Sequence, residues 1–157
     1  MEKKVNVYMM IGLPGAGKDT WIKNHLPNLP MVSRDDIIRY ELKLCGPDEK
    51  TSVSLKQSRI VNKIMENRLL DYVQHGQDVV INNTNLKRAY RNEYKQLLEN
   101  YEINWIYVVV EAPDLETNIE RRKNQLPPEV FPKYKADYQP PTPDEYDEII
   151  YDKQEKI

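Results

Sequence analysis

Seven residues near the start of the chain, Gly12-Leu13-Pro14-Gly15-Ala16-Gly17-Lys18, constrain the fold more than anything else in the sequence. Four residues separate the outer glycines, and a lysine follows the second. The apolar run Val5 to Ile11 precedes the loop, and a helix-compatible stretch, Lys18 to His25, follows it. Strand, glycine turn and helix in that order open an α/β fold. The spacing is that of a phosphate-cradling loop. Its glycines let backbone amides converge on an anion, the helix adds its positive end, and Lys18 supplies a mobile charge. A glycine-rich turn without a ligand is the plain alternative.

Pro27 and Pro30 end that helix. Pro30 to Ser33 reads as a short strand and Arg34 to Leu44 as a helix with Ile37, Ile38, Leu42 and Leu44 as apolar positions. Gly46-Pro47-Asp48 signals a loop. A long helix over Ser54 to His75 carries Val61, Ile64, Met65, Leu69, Tyr72 and Val73 at helical spacing, with Gly76 closing it. Strand Asp78 to Asn82, helix Leu86 to Asn100, strand Ile103 to Val110 and helix Asp114 to Asn124 follow. A last short strand fits Tyr146 to Tyr151, and the Pro- and Tyr-rich stretch after Leu126 reads as an ordered wrap. Alternating strands and helices predict an α/β fold, a P-loop NTPase-type three-layer sandwich with a central parallel sheet. Residues 1–157 suit one domain. Ligands in such sheets sit beyond the carboxyl ends of the strands.

Composition excludes several classes. One cysteine, Cys45, cannot form an internal bridge and fits a reducing cytoplasm. Val5 to Ile11 is too short to span a bilayer and lacks the layout of a signal peptide. A net charge of −2 gives no global pull toward nucleic acid or membrane, so a polynucleotide would need a local patch. His25 and His75 stand near helix ends as surface or capping residues, and no ligand spacing suggests a structural metal.

The loop residues Gly12, Pro14, Gly15, Ala16, Gly17 and Lys18 are the candidate nucleotide cradle. Asp19 stands where a Ser or Thr usually ligates Mg²⁺, with Thr20 after it. A carboxylate beside a triphosphate needs an intervening cation, so Asp19 and Thr20 are the candidate metal residues. Capping of the helix by Asp19 is the alternative. After the second strand, Asp35 is the candidate general base for a hydroxyl acceptor, and Asp36 the cap or support. Arg34 and Arg39 could hold an acceptor phosphate or be surface charges. In Asn82-Asn83-Thr84-Asn85, Thr84 and Asn85 are candidate acceptor contacts, against a simple polar turn. Lys87, Arg88, Arg91 and Lys95 form a positive cluster suited to a phosphodiester backbone, or a solvated face. Arg121 and Arg122 could close over the transferring phosphate, with Arg122 on the nucleotide, or only complement a helix C-terminus.

With these residues in hand, the chain resembles the polynucleotide 5′-hydroxyl kinase family of P-loop phosphotransferases. The likeness rests on Gly12 to Lys18 with Trp21, Ser33-Arg34-Asp35-Asp36, Asn83-Thr84-Asn85-Leu86, Arg121-Arg122 and the segment Tyr138 to Ile149. It implies ATP as donor, Mg²⁺ as cofactor, Lys18 on the phosphates, Asp35 as base and a nucleic acid 5′ end as acceptor. The sequence shows no phosphatase or ligase partner domain, so the expected activity is that of a stand-alone end-healing kinase. The family's acceptor-contacting arginine corresponds to Arg39, one position later than usual. Asn83 stands where Asp is frequent, and a second, later lid arginine is missing. Two other readings remain open: a P-loop kinase of a small metabolite, nucleoside or sugar nucleotide, toxin-like kinases included, and a non-catalytic NTP-binding module.

Overall fold

A computed structural model describes residues 4–46 and 53–155. The central strand is β1 (Val5–Ile11). It pairs in parallel with β3 (Val79–Ile81) on one side and β4 (Ile103–Glu111) on the other. Outside these lie β2 (Met31–Val32), beside β3, and β5 (Glu148–Lys153), beside β4. The order β2-β3-β1-β4-β5 is parallel throughout. Parallel neighbours require crossovers, and helices supply them.

Alternation along β1 sorts the core into two layers. Val5, Val7, Met9 and Ile11 face Leu69 and Val73 of α3 (Leu55–Gln74) and Leu98, just past α4 (Arg88–Leu97). Tyr8 and Met10 face Trp21 and Ile22 of α1 (Lys18–His25). Because β1 and β4 are covered on both faces, their sequences are apolar at nearly every position. Ile37, Ile38, Val61 and Met65 form a third, smaller cluster that seats the segment after β2 on α3. Cys45 packs at its edge.

The three-layer parallel architecture is as expected, with the inner details shifted. The strand over Pro30 to Ser33 is only Met31–Val32. Helix Asp114 to Asn124 narrows to α5 (Leu115–Arg121), capped by Asp114, whose carboxylate accepts from the Thr117 amide at 2.9 Å. The last strand lies two residues later than Tyr146 to Tyr151. Ser54 and Gln57 form a reciprocal capping box at the start of α3. The stretch after Leu126 is ordered, as a 3₁₀ turn over Pro128–Val130, α6 (Phe131–Asp137) and then β5. Of the Gly46-Pro47-Asp48 loop, Pro47 and Asp48 lie outside the described residues.

The largest departure is the helix expected over Arg34 to Leu44. It is a single turn, α2 (Arg34–Asp36), running into a π-helical turn over Ile37–Glu41. The Leu42 amide donates to the Ile37 carbonyl, five residues back. Asp36 is not the cap. Ser33 is, its hydroxyl accepting from the Asp36 amide at 3.3 Å.

Candidate active site

The carboxyl ends of β1, β2 and β3 open into one cleft of about 860 Å³. Its walls bring together Pro14 to Thr20, Ser33 to Asp36, Arg39, Asn82 to Thr84, Arg121, Arg122 and Gln154. The sequence elements assigned to nucleotide and acceptor therefore share a single space.

Gly15 (φ +78°) and Gly17 (φ +106°) occupy left-handed conformations that a side chain would strain. Gly17 is the N-cap of α1 and has no side-chain cap. Asp19 sits in the first turn but does not cap it. Instead its carboxylate accepts from Asn82 Nδ2 at 2.6 Å. Lys18 folds back on the loop, its Nζ donating to the carbonyls of Gly12 (2.6 Å) and Leu13 (3.1 Å). Burial, then the charge of Arg122, pulls the Lys18 ammonium down from 10.5 to about 7, against Asp19 and Asp35.

Asp35 lines the cleft, gripped by Arg39, whose Nε lies 2.9 and 3.0 Å from the two carboxylate oxygens. The Arg39 side chain is buried, and its Nη1 also donates to the Gly46 carbonyl at 2.6 Å. A π turn holds one more residue than an α turn. Asp35 and Arg39 nonetheless stand at i, i+4, the spacing at which side chains on one helical face meet. Arg34 lines the cleft too, but its guanidinium is held by Asn62 and Ser58 of α3 at 2.8 Å each. Burial, then the charges of Asp19, Asp35 and Glu41, raises the Asp36 carboxyl.

Asn82 to Asn85 brace the cleft more than they line it. The Asn83 amide bridges the Arg34 backbone (3.0 Å) and the Tyr94 hydroxyl (3.0 Å). The Thr84 carbonyl accepts from the Gly12 amide. Asn85 departs from its expected role. It is buried, with φ +48°, and its Nδ2 donates to the Met10 carbonyl at 2.7 Å, away from the cleft. Asn82 Oδ1 is buried with no hydrogen-bond partner among the described residues.

The basic face of α4 is likewise redirected. Arg88 is absent from the cleft wall and bonds Thr142 Oγ1 at 3.0 Å, with Glu145 at 3.6 Å. Arg91 is fully buried against Glu145 at 2.9 Å, and Lys95 donates to the Glu145 carbonyl. Burial pushes the Glu145 carboxyl up, but Arg91 and the Thr142 amide outweigh it and hold the group below its ordinary value. These cations therefore anchor the segment that follows α6.

The two arginines after β4 separate. Arg122 faces Lys18 electrostatically and hydrogen-bonds Gln125. Arg121 turns to the loop backbone, donating to the Gly15 carbonyl at 2.9 Å and to Gln154 Oε1 at 2.8 Å. Leu126, Val130 and Tyr134 complete the wall. His25 and His75 each donate from Nδ1 to a backbone carbonyl one turn back, His25 also stacking on Trp21. Sequence reasoning missed Asn118 and Gln154, whose side chains reach the loop from far along the chain.

Residues 7–141 match the AAA_33 family of AAA domains. The chain belongs to that family. Solved structures agree on the fold of this AAA domain. A chain of the Pnkp1/Rnl/Hen1 RNA repair complex superposes with TM-score 0.73 at 18% identity, over 87% of this chain and 45% of that one. This chain thus spans less than half of that relative's length. A candidate kinase from Chloroflexus aurantiacus j-10-fl gives TM-score 0.74 at 13% identity, over 98% and 90%. The APS kinase CysC of Mycobacterium tuberculosis gives 0.58 at 15%, over 96% and 90%. No curated protein matches in sequence. At such identities the likeness shows a P-loop kinase fold. Among the described residues no helix is long and apolar enough to cross a membrane.

Proposed function

We propose that this AAA domain transfers the γ-phosphate of ATP to a hydroxyl group, with the 5′-hydroxyl end of a polynucleotide as the leading acceptor. The observation that carries the reading is the meeting of Lys18, on the glycine loop, and Asp35, past β2, in one cleft. The loop amides and Lys18 hold the phosphates. Asp35, oriented by Arg39, takes the acceptor proton as its oxygen bonds the γ-phosphorus. The bond to the β,γ-bridging oxygen breaks and ADP leaves. Arg122 faces the charge that spreads over the transferring group.

The donor set fits a divalent cation. Asp19 and Asp36 are neighbouring carboxylates, the latter raised by burial and then by Asp19, Asp35 and Glu41, and Asn82 Oδ1 is buried without a partner among the described residues. Among the described residues no three acidic, His or Cys groups form a metal cage. An ion on the nucleotide's phosphates would be held by Asp19 and Thr20, with Asn82 orienting Asp19. When bound, Mg²⁺ neutralises phosphate charge.

Support for the polynucleotide acceptor comes from the sequence resemblance; Arg34 and Arg39 line the cleft beside Asp35, with their guanidinium groups on Asn62 and Ser58 and on Asp35 and Gly46. A second reading, a small hydroxylated metabolite, is favoured by one observation. The α4 cations that could track a phosphodiester backbone are spent on Glu145 and Thr142. Transfer of label from γ-labelled ATP to 5′-hydroxyl oligonucleotides, compared with nucleosides, sugars and sugar nucleotides, separates the two. Label on oligonucleotides is the expected result. Label on a small molecule alone would favour the second reading.

A further inference from the structure

Every carbonyl of the glycine loop from Gly12 to Gly17 is held by a donor of the protein. Lys18 takes those of Gly12 and Leu13. Asn118 Nδ2 donates to Pro14 at 3.0 Å, Arg121 Nη1 to Gly15 at 2.9 Å, and Gln154 Nε2 to Ala16 at 3.1 Å. The Gly17 carbonyl accepts from the Trp21 amide. A peptide plane whose carbonyl points outward points its N–H inward. Holding the Pro14 and Ala16 carbonyls therefore fixes the opposed amides of Gly15 and Gly17 before any anion arrives, whereas the Ala16 amide, opposed to the Gly15 carbonyl, donates to the Leu13 carbonyl at 3.1 Å.

Three of these donors are side chains of distant elements: Asn118 and Arg121 on α5, and Gln154 just past β5. They are also linked to one another, since Arg121 Nη2 donates to Gln154 Oε1 at 2.8 Å. Gln154 is fixed in turn by its backbone amide on the Glu111 carbonyl at 2.9 Å. It packs so closely on the loop that a Cβ added to Gly17 would lie 2.3 Å from its Nε2. The absence of a side chain at Gly17 thus gives Gln154 its seat.

We propose that Gln154, together with Asn118 and Arg121, is a positioning residue for phosphate binding: it orients the loop amides and touches neither base nor acceptor. The inference rests on the phosphate-binding role given to the loop above. Because its action runs through the loop, it concerns the polyphosphate part of a ligand whatever base is attached.

The test uses two ligands, ATP and inorganic tripolyphosphate, each titrated with Mg²⁺ into the full chain. Gln154 is half-buried at the surface, and thermal unfolding checks that its variants fold. Gln154→Ala removes one neutral hydrogen bond to the loop and loosens Arg121. Both ligands should bind about three- to tenfold more weakly, by equal factors. Gln154→Lys restores a donor to the Ala16 carbonyl and should recover part of the loss for both. Weaker ATP binding with tripolyphosphate unchanged would overturn the proposal and make Gln154 a base contact. Unchanged binding of both would overturn it as well. Wild-type protein that retains neither ligand would instead sink the phosphate-binding reading, and this inference with it.

Discussion

Lys18 is the side chain whose state should change most on nucleotide binding. In the free protein it is buried on two carbonyls and titrates at about 7. A triphosphate brings several negative charges beside it, which favour the ammonium. The sign follows from linkage. Above pH 7 the free protein has lost this proton and the complex keeps it, so binding takes up a proton and affinity falls as pH rises. Heats of ADP binding near pH 8 in buffers of different ionisation enthalpy should report uptake approaching one proton per nucleotide. At a pH well below 7 the Lys18 contribution should vanish. Asp35 carries a separate expectation. Asp35→Asn should lower turnover by roughly 10²–10⁴-fold while nucleotide affinity stays near wild type, because it meets the acceptor and not the donor. Steady-state rates beside binding titrations check it, and wild-type turnover would remove Asp35 from the mechanism.

At the scale of elements, α4 and the stretch before β5 are joined by a buried ion pair. Arg91 reaches Glu145 and also the carbonyls of Asn85, Leu86 and Gln139. Arg91→Ala leaves Glu145 and three carbonyls buried without it, a loss on the order of 3–5 kcal/mol in urea unfolding near neutral pH. Glu145 titrates below its ordinary value when folded, so its stabilisation is present at neutral pH and fades as pH falls through the acidic range. The gap between wild type and variant should narrow accordingly in acid. The same pair marks a limit of sequence reading. The three cations of α4, Arg88, Arg91 and Lys95, look like a ligand face because their partners lie 50 to 54 positions away, and helical spacing reports only neighbours on the same helix. The glycine loop, α3 and β4 were legible because turn chemistry and apolar periodicity are local. The π turn was not, since its pattern of Ile37, Ile38 and Leu42 suits an α-helix equally well. Asn118 and Gln154 gave no signal at all, being single polar residues whose meaning comes from tertiary placement.

Across the whole molecule, the sheet alone dictates where the chemistry sits. Five parallel strands put every strand-to-helix junction on one edge, so loops distant in sequence share one opening. The glycine loop follows β1 at the sheet's centre, the Asp35 segment follows β2 at its margin, and the Arg121 segment follows β4 on the opposite side. This order places the Asp35 and Arg121 segments on opposite flanks of the glycine loop. Parallel pairing also makes most of these contacts long-range, which slows folding relative to a helical bundle of equal size.

Gln154 and Ala16 meet across 138 positions. On a ribosome, the amino-terminal loop would emerge long before the residue that steadies it. Until β5 has been synthesised and docked on β4, a nascent chain has the glycines and the lysine but lacks one fastener of the cradle. Tight grip on a triphosphate is then a property that matures late in synthesis, after the sheet has closed around its centre.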